Sequence, residues 1–255
     1  MNLILLQPQL HAFQDERNLI EIQTLIERSK PFISNDDVVL LPEHFTSSKD
    51  PEKYFECVRG LAVDAQVTVV GGSHHREYDG KKVNYGCAVD KEGNVIGAYT
   101  KMRPYFDEQK HVEPGNIFGE FQIDGKNILV LICADFWYSD LLFQAQTQPD
   151  LILVPALSVS RHADANYSRT LWRTLAITRA YEFGAYIGIS DWSELSSLPK
   201  YRTCGVGGLG DPTVTDPEKF YQPISSDGLT IIPLDFERLE AFRSDRKMRG
   251  FFWKS

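Results

Sequence analysis

Short apolar runs and longer amphipathic stretches alternate along most of the chain. Runs rich in Val, Ile and Leu that end at Gly, Pro, Asp or Asn predict β-strands, and apolar positions three or four residues apart predict α-helices. The predicted strands are residues 3–6, 38–41, 67–70, 83–89, 95–101, 118–123, 127–133, 151–154, 185–190 and 229–234. The predicted helices are residues 15–30, 51–65, 140–148, 167–183 and 236–246. No linker or repeat interrupts the series, which predicts one α/β domain over residues 1–255, with a mixed sheet and helices outside it.

Three of the predicted strands end at a side chain that can take part in catalysis. Glu43 follows the second strand, Lys101 closes the fifth and Cys133 closes the seventh. Sites of open α/β sheets form at the carboxyl ends of strands, so we expect these side chains to meet there. Together they supply a base, a cation for an oxyanion and a nucleophile, and the backbone N–H of Ala134 offers a second oxyanion donor. Taken singly, the same residues fit a surface carboxylate, a solvated lysine and a core thiol.

Composition and charge narrow the class of protein. The chain has 255 residues, of which 42% are hydrophobic and 24% charged, as in globular proteins with a substantial core. The formal net charge is −8, which argues against a broad surface for nucleic acid or an anionic membrane. No run of about 18 apolar residues occurs. The apolar start is short and is interrupted by Gln7 and Pro8, so it predicts a first strand rather than a signal peptide.

The cysteine, histidine and glycine patterns favour neither a disulfide framework, a metal site nor a bound nucleotide. The four cysteines show no Cys-x-x-Cys pair and no zinc-type spacing to histidine, so we expect reduced thiols in a cytoplasmic protein. His74 and His75 have no partner at metal-binding spacing and predict an exposed loop pair. Residues 205–210 fit G-x-G-x-x-G, but Asp211 and Pro212 follow instead of a helix, so no dinucleotide cofactor is predicted.

Several segments resemble the motifs of one enzyme family, in the family's own chain order. They are Leu-Pro-Glu at residues 41–43, Asn84, the hairpin at residues 90–101, the glutamate loop at residues 108–115, Leu-Ile-Cys-Ala-Asp at residues 131–135, the apolar strand at residues 150–155, Trp172, and Arg-Ala-Tyr-Glu at residues 179–182. Over nearly its whole length the chain therefore resembles the nitrilase, or carbon–nitrogen hydrolase, superfamily.

The resemblance implies a fold, a catalytic set and an assembly. The family's fold is a four-layer α-β-β-α sandwich, which often pairs into dimers or larger homo-oligomers. Glu43, Lys101 and Cys133 match its Glu-Lys-Cys triad. Glu108 matches a second active-site glutamate that positions the triad and the substrate. We therefore predict covalent cysteine chemistry that needs no cofactor and no metal.

The chain departs from the family's pattern around the cysteine and the lysine. Trp137 stands where many members have an arginine, Tyr138 follows it, and Arg103 lies two residues after the lysine, where members often have an apolar residue. We predict that these side chains, together with Ala134, contact the substrate. Either Arg103 or Arg161 can bind a substrate carboxylate through a bidentate pair, and solvation at the surface is the alternative for each.

These features predict an amidase that releases ammonia from a small carboxamide through a thioester on Cys133. A nitrilase or an N-carbamoyl amide hydrolase is the alternative within the family. Nitrilases tend to have Trp-Glu after the cysteine, and this chain has Ala134 and Asp135 there. A catalytically silent binding protein on the same scaffold is the alternative of another class, which the intact set of four residues opposes. The expected partners are a small amide or nitrile and further copies of the chain, with neither nucleic acid nor membrane.

Overall fold

The computed structural model describes residues 1–160, 162 and 164–254, so Arg161 lies outside the described residues. The strands are β1 (Asn2–Leu6), β2 (Val38–Leu40), β3 (Thr68–Val70), β4 (His74–Tyr78), β5 (Lys81–Val89), β6 (Val95–Thr100), β7 (Gly119–Ile123), β8 (Lys126–Val130), β9 (Leu151–Pro155), β10 (Val159–Ser160), β11 (Tyr186–Ser190), β12 (Arg202–Thr203), β13 (Gly208–Gly210), β14 (Tyr221–Pro223) and β15 (Leu229–Pro233). The α-helices are α1 (Asp15–Ser29), α2 (Pro51–Ala65), α3 (Ser139–Leu142), α4 (Asn166–Phe183) and α5 (Phe236–Met248). No helix in this described part of the chain is long and apolar enough to cross a membrane.

Seven of the described strands form the first sheet, in the order β15-β1-β2-β3-β5-β4, with β6 also paired to β5. Its centre, β1-β2-β3, is parallel, and α1 and α2 supply the crossover connections that parallel neighbours require. Leu3 and Leu5 of β1 belong to one buried cluster, whereas Ile4 and Leu6 belong to the other. Successive strand residues face opposite sides, so both faces of this sheet are buried.

Six strands of the described chain form the second sheet, in the order β14-β13-β11-β9-β8-β7. β8, β9 and β11 are parallel at its centre, and the flanking pairs are antiparallel. The two sheets approach closely at Gly188 of β11, where an added Cβ would lie 2.6 Å from the Leu3 side chain. The inner faces of the two sheets therefore pack directly against each other.

Helices cover the outer face of each sheet. Ile22 of α1 and Tyr54 of α2 share a buried cluster with Ile4 of the first sheet. Trp172 and Ala176 of α4 belong to the cluster that contains the strands of the second sheet, and α4 contacts β11 and β13. The layers follow the order helix, sheet, sheet, helix, so the predicted four-layer α-β-β-α sandwich is confirmed. The assignment of residues 1–255 to a single domain stays a prediction.

The predicted helix at residues 140–148 is wrong beyond its first turn. Only α3 forms there, because the N–H groups of Gln144 and Ala145 bond three residues back, as in a turn, and the helix does not continue. The N–H groups of Gln146 and Thr147 then donate to the carboxylate of Glu120, at 2.8–3.0 Å. A carboxylate on β7 thus holds the backbone in the second half of the predicted helix, and the local sequence does not show this distant partner.

The prediction of an exposed loop at His74 and His75 is also wrong. Both residues lie in β4, opposite Tyr85 and Asn84 of β5, and His74 is fully buried beneath the ring of Tyr54. The run His-His-Arg-Glu-Tyr lacks the apolar alternation that marks a strand, so its sequence gives no strand signal. Pairing with the longer β5 makes the segment an edge strand.

Candidate active site

Glu43 lies just past the carboxyl end of β2, and its backbone is fixed on both sides. Its N–H donates to the carbonyl of Ala156 at 3.2 Å, and its own carbonyl accepts from Nε1 of Trp192 at 2.7 Å. Gly72, with φ of +60°, lies so close that an added Cβ would be 2.1 Å from the Pro42 carbonyl, so this approach requires glycine. Glu43 is only 2% exposed.

Lys101 reaches the same place from the end of β6. Its backbone N–H donates to the carbonyl of Asn84, and its carbonyl accepts from the N–H of Gly115, both at 2.8 Å. Its Nζ lies 2.7 Å from Oε1 of Glu43 and 2.7 Å from Oε2 of Glu108. One buried ammonium therefore bridges two carboxylates.

Glu108 lies in a short 3₁₀ helix, and four donors hold its carboxylate. Oε2 accepts from the backbone N–H of Tyr105 at 3.0 Å and from Nζ of Lys101. Oε1 accepts from Nδ2 of Asn84 and from Nε2 of His75, each at 2.9 Å. The carboxylate is therefore fixed in position as well as charged.

Asn84 joins the two carboxylates from β5. Its Nδ2 lies 2.9 Å from Oε1 of Glu43 and 2.9 Å from Oε1 of Glu108. The side chain is fully buried, and its oxygen has no hydrogen-bond partner among the described residues. Asn84 thus adds a third side-chain donor, besides the lysine and the histidine, to the centre of the cluster.

Cys133 follows β8, which ends at Val130 and not at the cysteine as the sequence predicted. It begins the 3₁₀ helix Cys133–Trp137 with φ of +48°, a left-handed value that is rare for a residue with a side chain. Its Sγ lies 3.8 Å from the carbonyl of Leu157, whose N–H donates to Oε2 of Glu43 at 3.2 Å. Leu157 therefore links the cysteine to the glutamate, through its backbone carbonyl on one side and its backbone N–H on the other.

Burial and charge oppose each other within this cluster. Burial lowers the pKa of Lys101, but the charges of Glu43 and Glu108 outweigh it and hold that pKa well above its ordinary value. Burial raises the pKa of Glu108, yet the Lys101 charge and the His75 hydrogen bond lower it overall. Burial and then the charge of Glu43 raise the pKa of the Cys133 thiol well above its usual value, and Lys101 offsets this only in part. At neutral pH the cluster therefore holds an ammonium and a protonated thiol.

Two histidines lie at the more open side of the cluster. Nε2 of His44 is 3.6 Å from Oε1 of Glu43 and 4.0 Å from Oε1 of Glu108. The rings of His44 and His75 meet edge to face, with 4.4 Å between centroids. Both side chains are 22% exposed, against 3% for Lys101. Burial chiefly lowers the pKa of His44 to about 4, so this imidazole is neutral at pH 7.

Asp135 fixes the segment that follows Lys101. Its two carboxylate oxygens accept from the backbone N–H groups of Met102 and Arg103, at 3.0 and 2.8 Å. The side chain is buried, and burial raises its pKa to about 6 despite these hydrogen bonds. The loop that holds the cysteine is thereby tied to the loop that follows the lysine.

Asp191 supports the segment that follows β9. It is fully buried and accepts from the backbone N–H groups of Ser158 and Val206, each at 2.8 Å, and from the Ser158 hydroxyl. Burial raises its pKa to about 6. Because Ser158 follows Leu157, this carboxylate helps to fix the backbone of Leu157, which contacts both Cys133 and Glu43.

Ala134 is buried directly after the cysteine, whereas the other three side chains predicted to bind substrate lie at the surface. Trp137 and Tyr138 are each 40% exposed, and Trp137 packs edge to face against Trp172 with 5.5 Å between centroids. The guanidinium of Arg103 pairs with Asp140 and lies 4.1 Å from the centre of the Tyr138 ring. Arg103 is thus already engaged, and contact of these residues with substrate stays a prediction.

A groove of about 750 Å³ lies elsewhere on the molecule, between α4, α5 and residues 211–215. Tyr181, Phe220 and Phe242 are among its lining side chains. None of the predicted site residues lines it, so this groove is separate from the charged cluster.

The structure brings Glu43, Lys101 and Glu108 into direct contact, and the charges of Glu43 and Lys101 both act on Cys133. Sequence reasoning missed His75, because β4 itself was not predicted. It also missed His44, for which the position next to Glu43 is a signal. The chemical roles of all these residues stay predictions at this point.

Comparison with known proteins shows to which family this chain belongs. Residues 5–196 match the family model for carbon-nitrogen hydrolases. A protein described as hydrolase in agr operon, from Staphylococcus lugdunensis, is 28% identical over 167 residues, which cover 59% of this chain and 69% of that protein. The 2-oxoglutaramate amidase of Bacillus subtilis (strain 168) is 25% identical over 180 residues, covering 64% of this chain and 67% of that protein.

A solved structure gives the same answer for the fold. Nit3 of Saccharomyces cerevisiae, described as a member of branch 10 of the nitrilase superfamily, superposes with a TM-score of 0.79 over 96% of this chain and 93% of its own. Its sequence identity is 20%, so this likeness speaks for the fold alone. The family model, by contrast, matches well over half of the chain. The chain therefore belongs to the carbon–nitrogen hydrolase family.

Proposed function

We propose that this carbon–nitrogen hydrolase is an amidase, which releases ammonia from a small carboxamide through a thioester on Cys133. One observation carries the proposal: the buried ammonium of Lys101 lies 2.7 Å from both Glu43 and Glu108, and its charge acts on the thiol of Cys133. A base, a cation and a nucleophile are thus available to one reacting carbon. Similarity to a 2-oxoglutaramate amidase supports an amide, rather than a nitrile, as the substrate.

Acylation begins from a protonated thiol. Glu43 takes the thiol proton as Sγ of Cys133 attacks the carboxamide carbon, a C–S bond forms, and the carbonyl electron pair moves to oxygen. Nζ of Lys101 and the N–H of Ala134 hold this oxyanion; the N–H groups in the first turn of a helix have no partner within that helix. The C–N bond then breaks, Glu43 returns the proton to the departing nitrogen, and ammonia leaves.

Deacylation runs through the same groups. A water molecule loses its proton to Glu43 as it attacks the thioester carbon, and the oxyanion is held as before. The C–S bond breaks, the sulfur recovers the proton from Glu43, and the carboxylic acid leaves. The raised pKa of Lys101 keeps its ammonium charged through both halves.

The left-handed backbone at Cys133 supports its role as nucleophile. Such conformations cost about 1–3 kcal/mol in residues other than glycine, and they cluster at functional sites. Here the hydrogen bonds of Asp135 hold the cysteine loop against the lysine loop, so the surrounding structure maintains the conformation.

The test is an ammonia-release screen over amides, N-carbamoyl compounds and nitriles. We expect the highest kcat/KM on a small amide, and Cys133→Ala should abolish turnover while its circular dichroism matches that of the wild type. A folded Cys133→Ala variant that still turns over would disprove the covalent role of the cysteine. A preference for nitriles or N-carbamoyl compounds would instead replace the amidase with one of the alternatives.

We further propose that the substrate carries an acidic tail. Arg103 is the cation beside the aromatic pair, and its guanidinium keeps N–H donors besides the one that pairs with Asp140. The amidase of Bacillus subtilis is named for a substrate that itself contains a carboxylate. The test compares kcat/KM for an ω-amide of a dicarboxylic acid and for its methyl ester.

The same comparison is made in Arg103→Ala. Arg28→Ala is the matched control, because Arg28 also pairs with an exposed aspartate but lies on the outer helix α1. We expect only Arg103→Ala to remove the preference for the acid, at roughly 1.5–3 kcal/mol for a charged hydrogen bond. Equal rates for acid and ester in the wild type would refute the acidic tail and leave the amidase proposal intact.

Two features of the protein's context stay predictions. The cysteine pattern leads us to expect a cytoplasmic protein. Assembly in other members of the family leads us to expect a homodimer or a larger homo-oligomer, which sedimentation equilibrium would test.

A further inference from the structure

At the more exposed side of the cluster, three side chains bring metal-binding atoms close together. One ring nitrogen of His44, one of His75 and a carboxylate oxygen of Glu108 all lie within 4.8 Å of one another. Oε1 of Glu108 is 2.9 Å from Nε2 of His75 and 4.0 Å from Nε2 of His44. The proposed mechanism uses Glu108 to position Lys101 and gives neither histidine a role.

The fold holds both imidazoles in place. His75 lies in β4 directly opposite Asn84 in β5, and both side chains reach the same oxygen of Glu108. His44 has φ of +54°, and its N–H donates to the carbonyl of Ser73 at 2.8 Å. The donor atoms therefore come from two neighbouring segments of one sheet and from the glutamate loop.

The donor set suits a first-row transition metal. Two imidazole nitrogens and one carboxylate oxygen are the ligands of many zinc sites, where a water completes the tetrahedron. Zn–N and Zn–O bonds of about 2.0–2.1 Å place neighbouring ligands roughly 3.3 Å apart. The present spacings are all within 4.8 Å, so no pair of ligand atoms has to approach by more than about 1.5 Å. Mg²⁺ and Ca²⁺ prefer cages of oxygen atoms and fit poorly here.

Charge and local polarity favour a dication at the same place. Glu43 and Glu108 oppose the single ammonium of Lys101, which leaves the cluster one net negative charge. The buried carboxamide of Asn84 touches Glu108 and lies 3.4 Å from Nε2 of His44, and its oxygen lacks a hydrogen-bond partner among the described residues. An acceptor for a metal-bound water is therefore already beside the cluster.

We propose that His44, His75 and Glu108 form an inhibitory binding site for a transition-metal dication, with Zn²⁺ the best fit. The ion replaces the proton between Nε2 of His75 and Glu108, and that proton moves to Nδ1 of the same ring. The ion also places a double positive charge next to the ammonium of Lys101. It also occupies the more exposed side of the cluster, by which a substrate reaches the thiol. The inhibition rests on the proposed amidase function, whereas the binding does not.

Binding is tested first in a Cys133→Ser background, which removes the thiol as a competing zinc ligand. Co²⁺ should give visible d–d absorption without a thiolate charge-transfer band, and Zn²⁺ titrated by calorimetry should fill one site. His44→Gln and His75→Gln should each weaken Zn²⁺ binding by at least about 100-fold, because loss of even an outer-shell partner costs about 10- to 100-fold.

The matched control is His111→Gln. The ring of His111 is exposed and lies 5.7 Å from that of His75, but it is not one of the three ligands, so its loss should leave Zn²⁺ affinity unchanged. Thermal melts of every variant separate loss of a ligand from loss of the fold. Equal affinity in folded His44→Gln and His75→Gln variants, or binding that vanishes with Cys133→Ser alone, would overturn the site.

Inhibition is tested in the wild-type enzyme. Zn²⁺ should lower ammonia release, EDTA should restore it, and Mg²⁺ at the same concentration should have no effect. Zn²⁺ bound at the site without loss of turnover would overturn the inhibitory role. An enzyme without any amide turnover would refute the proposed function and leave the calorimetric result on binding standing.

Discussion

Replacing Glu108 by glutamine tests whether a carboxylate positions the catalytic lysine. Oε2 of Glu108 accepts from Nζ of Lys101 and the N–H of Tyr105, while Oε1 accepts from Asn84 and His75. Glutamine has one accepting oxygen and one donating NH₂ group. In either orientation its NH₂ group faces two donors, so two hydrogen bonds are lost at once.

The magnitude follows from these contacts. A hydrogen bond to a charged group contributes about 1.5–3 kcal/mol, and each 1.4 kcal/mol corresponds to roughly a tenfold rate change. Displacing the ammonium by about 1 Å can by itself cost on the order of 100-fold. We therefore expect kcat of Glu108→Gln to fall about 100-fold with little change in KM, since the loss affects the oxyanion more than the bound amide.

The pH profile separates positioning from a merely structural role. The pKa of Glu108 is lowered, so its stabilising contribution is present above its unfolded value and is lost only in strong acid. Glu108 should therefore contribute no limb to the wild-type profile between about pH 5 and 9. In the variant Lys101 loses one of two carboxylates, its pKa falls, and the alkaline limb of kcat moves to lower pH.

The assay is ammonia release across pH, with Glu113→Gln as the control. Glu113 lies five residues further along the same loop and pairs with Lys81 at 3.4 Å on the surface. It should behave as the wild type. Wild-type kinetics in Glu108→Gln, or an unmoved alkaline limb in a slow variant, would show that Glu108 does not act through Lys101.

Three further outcomes follow from the buried acids and the thiol. Asparagine at position 135 can accept only one of the two backbone N–H groups that Asp135 holds, so kcat of Asp135→Asn should fall about tenfold. The wild type should likewise lose activity as pH falls through about 6, the pKa of Asp135. Full activity of the wild type at pH 5 would contradict this. Burial raises the pKa of Asp191 from 3.8 to about 6, so its contribution to the free energy of unfolding is complete below pH 3.8 and declines by ~3 kcal/mol as pH rises to 6. Urea unfolding should therefore show the difference in stability between wild type and Asp191→Asn narrowing from pH 4 to 7. Because the pKa of Cys133 is raised, kcat/KM should show no thiol ionisation between about pH 6 and 9, and an activity that rises with thiolate formation in that range would refute general-base activation by Glu43.

The sequence predicted Glu43, Lys101 and Cys133 as site residues because local periodicity shows where each strand ends along the chain. This requires no information about distant contacts. Glu43 and Lys101 each follow a strand of the first sheet, and the pairing of these strands brings both side chains to one place. Cys133 lies beyond a strand of the second sheet, so its approach to Glu43 depends on how the two sheets pack. The family resemblance supplied that packing, which periodicity alone does not determine.

Contacts between distant segments explain what the sequence did not reveal. The second half of the helix predicted at residues 140–148 does not form, because Glu120 accepts from the N–H groups of Gln146 and Thr147. β4 is polar throughout and exists because β5 pairs with it, so His75 was not placed beside Glu108. Local propensity is a weak guide wherever a tertiary partner competes for the backbone.

The electrostatics of the cluster determine the resting form of the nucleophile. A free cation next to a cysteine favours the thiolate. In the structure Glu43 and Glu108 both pair with the ammonium of Lys101 and largely neutralise its charge, so the buried thiol keeps its proton. A protonated thiol reacts slowly with stray electrophiles, and it becomes a nucleophile only when a bound carbonyl can accept its electrons while Glu43 accepts its proton. Two carboxylates around one lysine therefore make the reactivity of Cys133 depend on the presence of substrate.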